Sequence, residues 1–166
     1  MMKPVDILVF SPHPDDAEIG CAGTIVRETD RGRRVAVADL TEGECASLGN
    51  PEDRGRERET ASALMGLCDR FSLGLPDTQI GAAPEQRLAL VEVIRKTRPI
   101  IVLAPYGHDR HPDHEGASRL VREAFFYAGV AKVGTGEVYR PVAIYYYMIL
   151  TQFIPAFFPV PPICRR

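Results

Sequence analysis

The chain has 166 residues, the size of one domain, with 45% hydrophobic and 25% charged residues, a globular composition that excludes general disorder. Lys and Arg number 20 against 22 Asp and Glu, a net charge of −2, which leaves no basic footprint for nucleic acid and no polybasic membrane signal. The expected partner is a small molecule. No apolar run approaches the roughly 18 residues of a membrane span, and MMKPVDILVF lacks a signal-peptide core, so a cytoplasmic protein without membrane association is expected. Cys21, Cys45, Cys68 and Cys164 show no CxxC spacing and read as reduced, mostly buried thiols.

In chain order, Val5–Ser11 is a short apolar run that predicts a buried strand. Residues Asp16–Asp30 carry Ile19, Ala22, Gly23 and Val26 at helical spacing, with Gly32 as a stop. Arg34–Leu40 predicts a second strand, the polar loop TEGECASLGNPED follows, and Pro51–Gly66 predicts a charged helix. A weaker strand at Arg70–Leu73 ends in the turn Leu75-Pro76-Asp77. Pro84 opens a helix that stops before Pro99, and Ile100–Pro105 predicts another buried strand. Ala117, Leu120, Val121, Ala124, Phe125 and Ala128 form a helical stripe closed by Gly129, and Val142–Leu150 predicts the last strand, with its three tyrosines at alternating positions. Strands alternating with helices imply an α/β, Rossmann-like, mainly parallel sheet with helices on both faces, built by right-handed crossovers. One domain is expected over residues 1–150, followed by an atypical Pro- and Phe-rich tail over 151–166.

Ligands of open α/β sheets sit at the carboxyl ends of the strands. All four histidines fall in two loops at such ends, SPHPDDAE (Ser11–Glu18) and YGHDRHPDHE (Tyr106–Glu115). His13 and Asp16 stand three residues apart, as do His111 and His114, and both pairs bracket a proline. Taken alone, HPDD also reads as a helix start capped by Asp15 or Asp16, with Glu18 a dipole partner, and HPDH as a solvated polar loop. Together the loops offer two imidazoles and a carboxylate, the donor set of a catalytic zinc site with one position open for water. His13, Asp16 and His114 are the expected ligands, at about 2.0–2.2 Å from the ion. Asp15 is placed to take a proton from the activated water as general base. His111, charged and oriented by Asp113, would steady an oxyanion or protonate a leaving amine. His108 reads as a surface residue. Hydrolysis of an amide or ester carbonyl is the chemistry these parts suit. The same N/O donors accept iron(II) and other divalent ions.

The segments SPHPDDAEIGCAGTI and APYGHDRHPDHEGASRL, with TEGE, Arg54–Glu57, LGLPD and RPxxxYYYM between and after them, resemble the LmbE-like, or PIG-L, family of zinc-dependent N-acetylglucosaminyl deacetylases. The resemblance runs from about Val5 to Leu150 and looks most like the bacillithiol-biosynthesis branch, whose substrate is N-acetylglucosaminyl malate. It implies zinc on His13, Asp16 and His114, Asp15 as base, His111 at the oxyanion with Asp113 as its partner, and a trimeric or hexameric homo-oligomer. By position it also implies substrate contacts from Arg54 and from Arg140; surface and strand-flanking charges are the plainer readings of these two. Family members continue past the YYYM strand, whereas this chain runs into TQFIPAFFPVPPICRR, which reads as a truncated or altered C-terminus. Two competing functions follow: a metal-binding protein without catalysis, because the closing segment is missing, and a nucleotide-binding domain. The second is disfavoured because no GxGxxG turn follows the first strand.

Overall fold

The computed structural model describes residues 3–46, 51–81 and 83–150, without the side chains of residues 51 and 52. The 151–166 tail and Cys164 therefore lie outside the described residues. In chain order the elements are β1 (Ile7–Ser11), α1 (Asp16–Asp30), β2 (Val35–Asp39), α2 (Pro51–Leu64), β3 (Asp69–Ser72), α3 (Pro84–Thr97), β4 (Ile101–Pro105), α4 (Pro112–Tyr127) and β5 (Ala143–Tyr147). The strands form one sheet in the order β3-β2-β1-β4-β5, and every pairing is parallel.

Period-two alternation in β1 divides the core between the two faces of this sheet. Leu8 and Phe10 pack with Leu90, Val91 and Ile94 of α3 and with Ala117, Leu120, Val121 and Ala124 of α4. Ile7 and Val9 point the other way, onto Ala17, Cys21 and Ile25 of α1 and onto Met65 beyond α2. β1 and β2 are buried along their whole length, as expected for strands covered on both faces. Chain order reverses between β1 and β4, so the carboxyl ends of those two strands flank the crevice where ligands of this architecture bind.

β5 lies at the edge of the sheet, and its tyrosines depart from simple alternation. Tyr147 is buried, and its hydroxyl donates to the Phe10 carbonyl at 2.7 Å. Tyr145 and Tyr146 are both exposed. The cysteines also divide: Cys21 is buried, as expected, but Cys45 and Cys68 are exposed, because both sit in loops rather than in elements. No helix among the described residues is long and apolar enough to cross a membrane.

Candidate metal centre

The first histidine loop is shaped by a serine. Ser11 ends β1; its hydroxyl donates to the His13 carbonyl at 2.6 Å and accepts the Ala17 N–H at 3.1 Å. It thereby satisfies a first-turn amide of α1 that would otherwise need a capping side chain. Asp15 occupies the N-cap position but makes no side-chain cap bond. Both aspartates of the loop are thus released from the capping role that the spacing alone allows. The Asp15 carboxylate is exposed and faces the cleft. Asp16 is buried at 3% exposure and turns inward.

The second loop closes over the first. His111 caps α4, its Nδ1 accepting the Asp113 N–H at 3.2 Å, and His114, one turn on, is 2% exposed. Asp16 Oδ2 lies 3.0 Å from His13 Nδ1 and 3.2 Å from His114 Nε2. Donor atoms of His13, Asp16 and His114 all fall within 4.8 Å of one another. The three imidazoles cluster, with ring centroids 4.9 Å apart for His13 and His111 and 4.7 Å for His111 and His114. A cleft of about 310 Å³ opens onto His13, Asp15, Asp16, His111, His114 and Arg54. Two imidazoles, neutral once an ion has displaced their protons, and one carboxylate converging at hydrogen-bond separations are a donor set that fits a divalent ion.

Outer partners hold both imidazoles. His13 Nε2 lies 3.2 Å from Asp77 Oδ1 and 3.3 Å from Asp113 Oδ2, and His114 Nδ1 lies 3.1 Å from Asp109 Oδ2. A carboxylate beside each imidazole raises its basicity, as it would for an imidazole that holds an ion. Asp77 is fastened by the Cys45 N–H at 3.0 Å, and Asp109 by the His111 N–H at 3.0 Å. Reasoning from the sequence missed Asp77 and Asp109. Their signals were present, as the aspartate of LGLPD and the aspartate two residues before His111, but nothing local tied either to a histidine.

Electrostatics follow from this packing. Burial disfavours the charged form of His13, but Asp16, Asp77 and Asp113 outweigh it and raise its pKa to about 9. Burial likewise raises Asp16, yet bonding to His114 and His13 brings it down to about 2. His114 is raised against its burial by Asp16 and Asp109. His111 moves the other way: burial lowers it, and the neighbouring charges of His114 and His13 lower it further, outweighing Asp113 and Asp16.

Two expectations need correction. The Asp113 carboxylate does not orient His111 and keep it charged, as the sequence suggests. Instead it accepts the Thr78 N–H at 2.8 Å and the Ile80 N–H at 3.3 Å and faces His13. Only the backbone N–H of Asp113 touches His111, because α4 begins there and its first amides need acceptors. Arg140 is not brought to this cleft. Its guanidinium lies near the Gly129 carbonyl and the Phe126 ring, beyond the far end of α4, and it does not line the cleft. Sixteen residues of helix, about 24 Å, separate the two ends of α4. Arg54 does reach the cleft, with its guanidinium laid over Gly43: a Cβ there would come within 2.5 Å of Nη1. His108 is exposed, as expected, near Glu115, and Glu18 bonds Arg70 rather than serving only the helix dipole.

Comparison with known proteins finds relatives for most of the described chain. The chain is 35% identical over 145 residues to "Diacetylchitobiose deacetylase" of Thermococcus kodakarensis, covering 80% of this chain and 53% of that protein. It is 32% identical over 133 residues to "Probable N-acetyl-alpha-D-glucosaminyl L-malate deacetylase 2" of Bacillus subtilis, covering 72% and 60%. Among solved structures, the conserved protein TT1542 from Thermus thermophilus superposes with a TM-score of 0.86 at 44% identity, covering 92% of this chain and 70% of that one. The chain spans little more than half the length of the curated relatives it matches. The family model of PIG-L, GlcNAc-PI de-N-acetylase, matches residues 8–125, and the chain belongs to that family.

Proposed function

We propose that this protein is a zinc-dependent hydrolase that removes acetate from the 2-acetamido group of an N-acetylglucosamine conjugate, leaving the free amine. One observation carries the reading: Asp16 Oδ2 sits within 3.2 Å of imidazole nitrogens from both loops, beside the exposed Asp15 carboxylate in the same cleft. The named activities of the relatives support the substrate class.

His13, Asp16 and His114 would hold the ion. Zinc, or iron(II) in its place, supplies a Lewis acid that acidifies water and polarises a carbonyl oxygen. Asp15, free of any side-chain cap bond, takes the proton as water attacks the amide carbon. His111 Nδ1 already accepts the Asp113 N–H, so the proton of the neutral ring resides on Nε2. That N–H is free to donate to the carbonyl oxygen as negative charge gathers there. The carbon–nitrogen bond then breaks as the nitrogen takes up the proton held by Asp15. Arg54, on the rim, contacts the sugar. Asp113 acts on His13 and on the loop of Thr78 rather than as a charge partner of His111.

N-acetylglucosaminyl malate is the expected conjugate, with diacetylchitobiose the competitor that the other relative suggests. A cytoplasmic homo-oligomer, trimeric or hexameric, is the accompanying proposal, tested by sedimentation. The deciding assay is acetate release from both conjugates, with zinc and with chelator. Chelator-sensitive release is expected. Zinc-loaded protein that releases no acetate from either would favour the non-catalytic metal-binding alternative.

A further inference from the structure

The loop His13-Pro14-Asp15-Asp16 is gripped from behind by a side chain that the scheme above leaves unused. Arg70 stands on β3, two strands away from β1, with its side chain 7% exposed. Nε donates to Asp39 Oδ2 at 2.7 Å and Nη2 to Asp39 Oδ1 at 2.9 Å, a two-point grip on a fully buried carboxylate at the end of β2. Nη1 reaches Glu18 Oε1 at 2.5 Å and Ser62 Oγ at 3.4 Å. The remaining Nη2 donor bonds the Pro14 carbonyl at 2.9 Å. All five guanidinium N–H groups are therefore used.

Three of these partners define a direction. Asp39 ties Arg70 to the end of the buried strand β2, Glu18 belongs to the first turn of α1, and Pro14 lies between His13 and Asp16 in the loop. Fixing the Pro14 carbonyl fixes the plane of the peptide leading into Asp15, and with it the spacing of His13 from Asp16. A buried ion pair adds little net stability over an apolar pair of similar volume, so stability alone does not account for the arrangement. The fixed fork of a guanidinium can hold a carboxylate at two points and still bond a carbonyl, which a lysine cannot.

We infer that Arg70 is a positioning residue for the metal- and base-bearing loop, acting through the Pro14 carbonyl. This rests on the metal reading given above. The test uses the full chain carrying Arg70→Met together with Asp39→Leu and Glu18→Gln, which removes the buried pair and the second carboxylate that Arg70 holds, so that no charge is left unpaired. Zinc affinity by chelator competition and the visible spectrum of the cobalt(II)-loaded protein are measured beside thermal unfolding. A folded variant with zinc affinity reduced about tenfold and an altered cobalt spectrum is expected. If the triple variant does not fold, Arg70→Lys carries the same two readouts with the same expectation. Folded variants whose affinity and cobalt spectrum match the unsubstituted protein overturn the role of Arg70 alone. An unsubstituted protein that binds no zinc overturns the metal reading together with it.

Discussion

Asp16 is the residue on which both loops converge, and substitutions around it separate ligands from the base. His13→Ala and His114→Ala each remove one of three donors, so metal and acetate release should be lost together, read by elemental analysis beside the acetate assay. Asp15→Ala should retain the metal and lose turnover by about 10²–10⁴-fold; full turnover in that variant would remove Asp15 from the role of base. The raised pKa of His13 adds a pH prediction. In the metal-free protein His13 keeps its proton up to about pH 9, so metal binding at neutral pH must expel it. Calorimetry in buffers of different ionisation heat should show at least one proton released at pH 7, and tighter binding as pH rises toward 9. The same shift stabilises the metal-free fold below the unfolded value of 6.5 and is lost as pH rises through about 9. Asp16, depressed from 3.8 to about 2, stabilises above its unfolded value and loses that contribution as pH falls toward 2.

At the scale of elements, α1 is the one whose beginning matters most. Ser11 replaces the loop aspartates as the acceptor for its first turn, so Ser11→Ala should cost about 1 kcal/mol in chemical denaturation. It should also slacken His13, whose carbonyl loses its shorter donor and keeps only the Asp16 N–H at 3.3 Å. Thr78 shows the same economy under strain. It holds a left-handed backbone, φ 67°, rare for a β-branched residue, and its N–H there meets Asp113. The elements themselves were legible, because apolar runs and proline or glycine stops are local signals. Strand ends moved by one to three residues, as for Val142–Leu150, which pairs only over Ala143–Tyr147. The meeting of His13, Asp16 and His114 was legible too, since both histidine loops follow strands whose carboxyl ends adjoin. Asp77, Asp109 and Arg70 were not, because their meaning depends on which loops meet across the sheet. Arg140 was misplaced for the converse reason: its position in the chain says nothing of the length of α4 between it and the cleft.

At the scale of the molecule, strand order does the assembling. The reversal between β1 and β4 brings residues about a hundred positions apart into one crevice, with no linker or second domain required. Because the ion would bind only the assembled site, it should stabilise the fold by mass action, about 2.7 kcal/mol at a hundredfold excess over Kd. For a chain of this size that is a rise in Tm of about 5–10 °C, and differential scanning calorimetry with and without zinc reads it. An unchanged Tm in zinc-loaded protein would place the ion somewhere that folding does not create.

X-ray absorption of the zinc-loaded protein, alone and with His114→Ala, tests the convergence of the two loops most directly. The account predicts a shell of nitrogen and oxygen donors at about 2.0–2.2 Å in the unsubstituted protein and no bound zinc in the variant after the same loading. A sulfur shell at about 2.3 Å, or a spectrum indifferent to the loss of His114, would contradict it.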